Sequence, residues 1–333
     1  MSALPTMPRL TVLNQTEVRQ HLTIEKCIPL MREAAIALSR GDVRLLLRSV
    51  LSLSGNRKLG VMPGALSEAG VFGAKLVSVF PDNFPRGLQS HQGVVTLFDS
   101  DTGAPVCIAH AGEITRVRTA AASAVATDVL ARPSAERLAI LGYGEQAAAH
   151  LEAIAAVRPL TAVTVWGRSV ERAAAFAERA AASTGLSVRP CDSVQSAVAD
   201  ADIVCTVTHA RDPILRAEWL PLGVHVNAVG ASTPDAAEID DILTARARLF
   251  ADHRESALSQ GGEIRRARAS GLIDDDIIAG ELGEVLLGVK PGRTDSVQIT
   301  VYKSLGNVAQ DLTSAAWLYA NALERGFGAS LSF

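Results

Sequence analysis

A glycine turn between two apolar segments is the part of this sequence whose residue types and spacing most suggest chemistry. It reads Gly142-x-Gly144-x-x-Ala147, after the apolar run at 138–141 and before an alanine-rich amphipathic stretch. The two glycines let the backbone turn tightly beside a phosphate, and the small Ala147 lets the next helix pack on the strand. The helix N-terminus then presents free N–H groups to an anion. The pattern predicts a strand–turn–helix unit that binds the pyrophosphate of a dinucleotide.

The end of the second strand of this unit bears on which dinucleotide binds. The run at 162–166 leads into Gly167, Arg168 and Ser169, where NAD-binding units usually carry an acid for the ribose hydroxyls. A guanidinium and a hydroxyl suit the 2′-phosphate of NADP, because a planar fork of donors binds phosphate with two bonds. Arg168 as a solvated loop residue, or stacked on the adenine of either cofactor, stays an alternative. We therefore favour NADP and keep NAD as the second choice.

Lys75 is the only charged residue in the apolar run at 71–80. A lysine there either points to a wet face of its strand or lies desolvated beside a ligand. Desolvation would lower the pKa of the ammonium and prepare it for proton transfer, or for polarising a carbonyl or imine. Taken alone, the solvated face is the simpler interpretation, because lysine side chains readily extend their charged end to water.

Arg118 is the second candidate for direct work on a ligand. We expect it where an extended segment becomes a helix of Ala and Ser residues. An arginine entering such a tightly packed helix could clamp a carboxylate. A surface charge at a helix start fits equally well.

Regular alternation of strand-like and helical stretches from about residue 120 to 299 predicts the elements that position the glycine turn. Short runs rich in Val and Ile predict a doubly wound parallel sheet. Ligands bind outside the carboxyl ends of such strands, so Thr206, Thr208 and Gly230 should line the cofactor crevice. The predicted strands of this region lie at 138–141, 162–166, 187–190, 202–208, 225–230 and 248–252.

The first hundred or so residues follow another pattern. A helical segment at 23–39 precedes strand-like pieces at 50–53, 59–62, 73–80 and 93–98, with turn signals at 54–56, 81–83 and 101–103. The tail from Lys303 is helical over 308–325 and could pack back on this region. We predict an α/β protein, with a mixed α/β domain (1–117 with 303–333) and a Rossmann-type doubly wound domain (118–302).

Composition limits the classes of partner. The 333 residues are 48% hydrophobic and 20% charged with a net charge of −3, which indicates neither disorder nor nucleic-acid binding. The four scattered cysteines have no metal-ligand spacing and fit a reducing compartment. The first residues show no signal peptide and no run is long enough to span a bilayer. We expect a cytoplasmic protein without metal, membrane or nucleic-acid partners.

Six motifs occur in order along the chain, and together they resemble the ornithine cyclodeaminase/mu-crystallin family over almost its whole length. They are Gly73-Ala-Lys75-Leu-Val, Phe80-Pro81-x-Asn83, His91-Gln92-Gly93-Val-Val-x-Leu-Phe, Arg118-Thr119-Ala-Ala, Gly142-x-Gly144-x-Gln146-Ala147 and Lys303-Ser304-Leu-Gly306.

The resemblance implies a Rossmann domain together with an N-terminal domain that binds substrate and forms a homodimer. It implies that Lys75 and Arg118 face the substrate, with Arg48 helping to hold its carboxylate. The cofactor residues that we assign on this basis are Thr119, Gly142, Gly144, Glu145, Gln146, Arg168, Ser169, Thr206, Thr208 and Gly230.

Two departures argue against the family's founding activity, cyclodeamination. Ser232 stands where cyclodeaminases carry an aspartate for the amine chemistry, and the stretch 58–63, which ends in Met62-Pro63, has no acid where cyclodeaminases place a glutamate for the side-chain amine. The second ammonium of a diamine would lack a partner, and burying it unpaired is costly. Asp235 would compensate in part if its loop shifted. The loop is more similar to the mu-crystallin and ketimine reductase branch.

The sequence thus predicts an NAD(P)H-dependent reductase of an imine adjacent to a carboxylate, acting on a small imino or amino acid. Arg118 and Arg48 would hold the carboxylate, Lys75 would act at the imine nitrogen, and Ser232 would contact the substrate. The alternatives are an alanine-type amino-acid dehydrogenase, an ornithine cyclodeaminase, and a non-catalytic crystallin-like protein that binds NADP and a ligand.

Overall fold

The computed structural model describes residues 9–55, 57–86, 89 and 91–332. Residues 1–8, interpreted above for targeting, and Asn56 of the first turn signal lie outside this range. The chain forms two compact units, one from Met1–Arg118 with Asn307–Phe333 and the other from Thr119–Gly306. We expected breaks at 117/118 and 302/303. The second break falls later because a strand of the second unit's sheet runs to Lys303.

Sixteen strands and eleven α-helices make up these units in the described chain. The strands are β1 (Arg9–Leu13), β2 (Val43–Leu45), β3 (Ser49–Ser52), β4 (Lys58–Leu66), β5 (Val71–Val79), β6 (His91–Asp99), β7 (Pro105–His110), β8 (Arg137–Leu141), β9 (Ala162–Trp166), β10 (Val188–Pro190), β11 (Ile203–Thr206), β12 (His225–Ala228), β13 (Arg248–Ala251), β14 (Ile278–Glu281), β15 (Thr300–Lys303) and β16 (Ala329–Ser332). The helices are α1 (Gln15–His21), α2 (Ile24–Arg40), α3 (Ala111–Leu130), α4 (Glu145–Ala155), α5 (Val170–Thr184), α6 (Val194–Val198), α7 (Asp241–Arg246), α8 (Arg254–Gln260), α9 (Gly262–Ala269), α10 (Leu282–Leu286) and α11 (Val308–Arg325).

The first unit is built on an eight-stranded mixed sheet. Its order is β16-β1-β7-β6-β5-β4-β2, with β3 paired to β4, and only the β1–β7 pair is parallel. Burial alternates along β5, where Gly73 and Lys75 are buried while Phe72 and Leu76 are exposed. Successive side chains of a strand point to opposite faces, so Lys75 belongs to the covered face.

Helix α11 covers that face. A Cβ at Gly73 would stand 3.3 Å from the Leu312 side chain and 1.9 Å from a backbone oxygen of β6, so only glycine fits this close approach. The helix ends at Gly326, which adopts the left-handed conformation with φ of 72°. The opposite face of the sheet stays open within the unit and carries partly exposed apolar side chains.

The second unit is an eight-stranded, wholly parallel sheet in the order β10-β9-β8-β11-β12-β15-β13-β14. Its chain order reverses between β8 and β11, as in doubly wound dinucleotide-binding sheets. The carboxyl ends of these two strands therefore flank the crevice where such sheets bind ligands. The predicted α/β fold class with a Rossmann-type sheet is confirmed.

Two sequence-based expectations were wrong in detail. Helix α3 begins at Ala111, so Arg118 lies inside the helix and not at its start. The expected extended segment before Arg118 ends at His110 with β7. The small residues that were taken for the beginning of the helix form its buried middle. Strands β1, β2, β7, β14, β15 and β16 were also missed, because they are short and carry no distinctive alternation.

All four cysteines are buried and none forms a disulfide. Among the described residues, no group of three or more His, Cys, Asp or Glu side chains is arranged to hold a metal ion. None of the described helices combines the length and apolar character that a membrane span requires.

Candidate functional site

Lys75 is desolvated in the first unit and not on a wet face. The residue is 4% exposed, and its Nζ donates to Thr115 Oγ1 at 2.6 Å and to Asp311 Oδ1 at 3.0 Å. Strand β5 brings the lysine, α3 brings the threonine and α11 brings the aspartate. Three elements that are distant in sequence thus meet at one ammonium group.

Arg118 contacts the same carboxylate. Its Nε donates to Asp311 Oδ1 at 3.2 Å and its Nη1 donates to Gln310 Oε1 at 2.8 Å, and the residue is 4% exposed. Its Nη2 makes no hydrogen bond with a described residue. The guanidinium is therefore fixed on one side and keeps donors for a further acceptor.

Asp311 is the residue that sequence reasoning missed. It is fully buried, it shares Oδ1 between both cations, and its Oδ2 has no hydrogen-bond partner among the described residues. Burial raises its pKa, but Arg118 and Lys75 outweigh burial and hold the pKa below the usual range. A signal for it existed, because Asp311 lies on the apolar face of the helix that the sequence predicted at 308–325.

The charges of this group favour an anionic ligand. Lys75, Arg118 and Asp311 carry a net charge of +1 when all three are ionised. Burial is the main cause that lowers the pKa of Lys75 to about 8; Arg118 and Arg48 act in the same direction, and Asp311 opposes them. Arg48 is half-buried and close enough to act on Lys75 electrostatically. An unpaired buried positive charge is costly, so a carboxylate entering here would be stabilised.

The glycine turn of the second unit has the geometry that a pyrophosphate needs. Gly142 has φ of 132°, and a Cβ there would stand 2.8 Å from the backbone oxygen of Val207. Gly144 caps α4 without a side-chain hydrogen bond, and nothing lies within 4 Å of the place where its Cβ would be. The buried Oε1 of Gln146, in the first turn, has no hydrogen-bond partner among the described residues. An open helix N-terminus beside a glycine turn suits the phosphates of a dinucleotide.

The other assigned residues of this turn differ in accessibility. Glu145 is exposed in the first turn of α4, and Thr119 is 8% exposed and follows Arg118 directly in α3. Arg168 is exposed after β9. Ser169 caps α5, since its Oγ accepts from Arg172 N at 3.2 Å and donates to Glu171 at 2.8 Å.

The residues predicted at the ends of β11 and β12 converge on one acid. Thr206, Thr208 and Gly230 all donate hydrogen bonds to Glu238, which is fully buried. No local sequence pattern marks this carboxylate, because Glu238 follows an irregular loop. Ser232 lies in that loop, in the second unit.

The fold and these side chains define a class of protein: a Rossmann-type unit joined to an α/β unit that buries a Lys–Arg–Asp cluster. Within this class, the chain belongs to the ornithine cyclodeaminase/mu-crystallin family, which it matches over residues 9–326. The resemblance inferred from the six motifs is confirmed.

Individual relatives agree with this assignment. The ketimine reductase mu-crystallin of Mus musculus is 39% identical over 312 residues, which cover 92% of this chain and 96% of that protein. The Thermococcus litoralis Δ1-pyrroline-2-carboxylate reductase, solved with NADH and L-proline, has a TM-score of 0.93 and 32% identity over 96% of this chain and 99% of that one. An archaeal alanine dehydrogenase dimer with bound NAD has a TM-score of 0.92 and 30% identity over 98% and 99%.

Proposed function

We propose that this protein is an NAD(P)H-dependent reductase of imines that lie next to a carboxylate, a ketimine or imino acid reductase. The observation that carries the proposal is the buried cluster in which Lys75 and Arg118 share one oxygen of Asp311. Such a cluster offers a fixed guanidinium for a carboxylate and an ammonium of lowered pKa for an adjacent nitrogen. The reductases among its relatives support the same chemistry.

Arg118 holds the substrate carboxylate in this proposal. Asp311 and Gln310 fix two nitrogens of its guanidinium, so the remaining donors point in a set direction. Holding the reacting carbon in one place can contribute about 7–11 kcal/mol of a reaction's barrier. Arg48 adds positive charge, and Ser232 is proposed as a contact to the substrate's remaining groups.

Lys75 delivers the proton at the substrate nitrogen. Its pKa of about 8 lies near neutrality, where a general acid is both populated and able to release its proton. Thr115 and Asp311 orient the ammonium through two of its three hydrogens. The third hydrogen has no hydrogen-bond partner among the described residues and is available to a substrate. The lowered pKa and the fixed orientation support Lys75 as the acid of the proposed reduction.

A bound nicotinamide cofactor supplies the hydride that the imine carbon receives. We propose that Gly142, Gly144, Glu145 and Gln146 hold its pyrophosphate side. Thr119, Thr206, Thr208 and Gly230 are proposed to line the rest of the cofactor site.

The preference for NADP is proposed on the exposed guanidinium of Arg168 beside the hydroxyl of Ser169. Removing the guanidinium in Arg168→Ala should weaken NADPH binding about ten- to a hundredfold and NADH binding little, because a charged hydrogen bond contributes about 1.5–3 kcal/mol. Arg179→Ala, which removes an exposed arginine from helix α5, the helix that follows Arg168, is the matched control. Equal weakening of both cofactors would mean that Arg168 stacks on the adenine.

We propose that the first unit forms a homodimer through the open face of its sheet. Phe72, Leu76, Val50 and Leu51 are 38%, 36%, 50% and 59% exposed there or on the neighbouring strand β3, an unusual apolar surface for a monomer. Light scattering should report a dimer for the wild type and a monomer for Phe72→Asp. A cytoplasmic location is proposed from the four buried cysteines without disulfides.

The decisive experiment follows NADPH and NADH oxidation with cyclic imino acids, and with 2-oxo acids plus ammonia or amines. We expect reduction of a carboxylated imine by the wild type. Lys75→Ala should lower kcat about 10²–10⁴-fold, as expected for a lost general acid. Lys58→Ala, on the neighbouring strand β4, is the control and should retain activity.

Each other outcome selects a different function. Activity only with a 2-oxo acid and ammonia would favour an alanine-type dehydrogenase, and ammonia release from a diamine would favour a cyclodeaminase. Cofactor binding without turnover of any of these substrates would favour a crystallin-like binding protein. Full activity of Lys75→Ala would reject the proposed chemistry at nitrogen.

A further inference from the structure

A single carboxylate ties together two loops at the carboxyl ends of neighbouring strands. Glu238 accepts five hydrogen bonds, two on Oε1 and three on Oε2. Oε1 receives the backbone N and the hydroxyl of Thr208 at 2.6 and 2.7 Å. Oε2 receives the hydroxyl of Thr206 at 2.7 Å and the backbone N atoms of Gly230 and Ala231 at 2.6 and 3.2 Å.

This pattern requires an acceptor oxygen on both sides of the group, which a carboxyl group supplies and an amide does not. Each oxygen faces at least one backbone N–H, and a backbone N–H can only donate. An amide at this position would turn its own N–H groups toward Thr208 N in one orientation, and toward the N atoms of Gly230 and Ala231 in the other. A threonine hydroxyl could rotate to accept from the amide, but the backbone groups could not.

The loop after β12 is fixed from its other side as well. Lys303 Nζ donates to the backbone oxygen of Ala231 at 2.6 Å and lies 2.9 Å from Glu263 Oε2. A Cβ at Gly230 would stand 2.1 Å from the backbone oxygen of Thr208, and one at Gly262 would stand 1.9 Å from that of Ala236. The loop is therefore closely packed against the backbone of Thr208 and of Gly262.

We propose that Glu238 is a positioning residue for the nicotinamide cofactor, which acts by holding the loops after β11 and β12 in their binding geometry. The proposal rests on the proposed function, because those loops carry Thr206, Thr208 and Gly230 of the cofactor site. The oxygens of Glu238 accept hydrogen bonds from these loops themselves. Its effect reaches the cofactor through the backbone of the two loops.

The test compares the loss of this carboxylate with the loss of another one in the same sheet. Asp202 precedes β11 at its other end, is 5% exposed, and accepts from the backbone N atoms of Glu136 and Arg137. Asp202→Asn therefore makes the same chemical change, away from the cofactor loops. Both variants are measured for thermal unfolding, for NADPH and NADH dissociation constants by fluorescence, for kcat, and for amide hydrogen exchange.

Glu238→Gln should raise the cofactor dissociation constant about 10- to 100-fold, in keeping with the cost of a displacement of about 1 Å in a positioned group. Its amide exchange should rise at 206–210 and 229–233. Asp202→Asn should unfold at a lower temperature with cofactor affinity and kcat unchanged. Glu238→Asp keeps both acceptor oxygens and should bind cofactor more tightly than Glu238→Gln, although glutamine matches the size of the native side chain better.

Two outcomes would overturn the proposal in favour of a packing role. One is that Glu238→Gln binds the cofactor as tightly as the wild type; the other is that Glu238→Asp binds it more weakly than Glu238→Gln. The proposal would also be rejected if neither Glu238→Gln nor Glu238→Asp folded, since the carboxylate would then be required for folding. If the wild type binds NAD(P)H but reduces no imine, the proposed function fails while the role of Glu238 is still decided by affinity. If the wild type binds neither cofactor, both fail.

Discussion

Each unit buries one lysine against a carboxylate, and the two units arrange the surrounding groups in opposite ways. In the first unit, Lys75 and Arg118 share one oxygen of Asp311, whose other oxygen has no hydrogen-bond partner among the described residues. In the second unit, both oxygens of Glu238 accept several donors, and Lys303 is paired with Glu263. The first group has an excess of positive charge, and the second has an excess of negative charge.

The difference separates a group prepared for a ligand from a group that completes a scaffold. Spare donors on Arg118 and a lowered pKa on Lys75 leave the first group able to bind an anion and move a proton. The acceptors of Glu238 are taken up by backbone and hydroxyl donors of its own unit. Burial alone therefore does not identify a reactive lysine, because Lys303 is 1% exposed and Lys75 is 4% exposed.

Replacing the acid that pairs with the buried lysine of either unit should have the largest effect on stability and kinetics. Asp311→Asn and Glu263→Gln each leave a buried cation without its counterion, so each should lower the free energy of unfolding by about 3–5 kcal/mol. Their kinetic effects should differ: Asp311→Asn should impair use of the imino acid, and Glu263→Gln should raise KM for the cofactor. Denaturant unfolding and steady-state kinetics check this, and unchanged imino acid kinetics in Asp311→Asn would contradict it.

Changing the geometry of the Arg118 side chain while keeping its charge should have the next largest effect, on imino acid turnover. Arg118→Lys keeps a positive charge but loses the planar fork, so kcat/KM for the imino acid should fall about 100-fold through both kcat and KM. Arg116→Lys, two residues earlier in α3 and paired with Glu113, is the matched control. A pure rise in KM for Arg118→Lys would show that the guanidinium binds the substrate without orienting it.

The pH dependence should show the smallest and most diagnostic effect. Lys75 has a pKa of about 8, lowered by burial, Arg118 and Arg48 against the opposing Asp311. Because the protonated form donates to the nitrogen, imine reduction should be full below this pKa and fall about tenfold per pH unit above it. Asp311→Asn removes the group that raises the pKa, so the descending limb should move to lower pH. A rate that is flat from pH 6 to 10 would exclude Lys75 as the proton donor.

Much of the second unit, and one helix of the first, could be predicted from local sequence. The glycine turn and the strands rich in Val and Ile of the second unit, and the helix at 308–325 of the first unit, follow from residue spacing, because periodicity and backbone freedom are local properties. The boundaries of α3 could not be predicted, since His110 and the residues after it give no clear helix start. Short edge strands such as β16 depend on a partner from the far end of the chain.

The state of the candidate site was decided by tertiary structure. The sequence offered Lys75 as either a solvated or a desolvated residue, and only the packing of α11 on β5 selects the second. Its counterion, Asp311, lies 236 residues further along the chain, beyond the reach of any local pattern. Glu238 likewise becomes significant only when the ends of β11 and β12 meet around it.

The sequence by itself determined the α/β class, the glycine turn at Gly142 and the family to which the chain belongs. Local spacing is sufficient for these, because turns, strands and helices are set by neighbouring residues. Tertiary structure alone decided that Lys75 is buried, that it shares Asp311 with Arg118, and that its pKa falls to about 8. The physical reason is that desolvation and charge depend on groups brought together through space, not on their order along the chain.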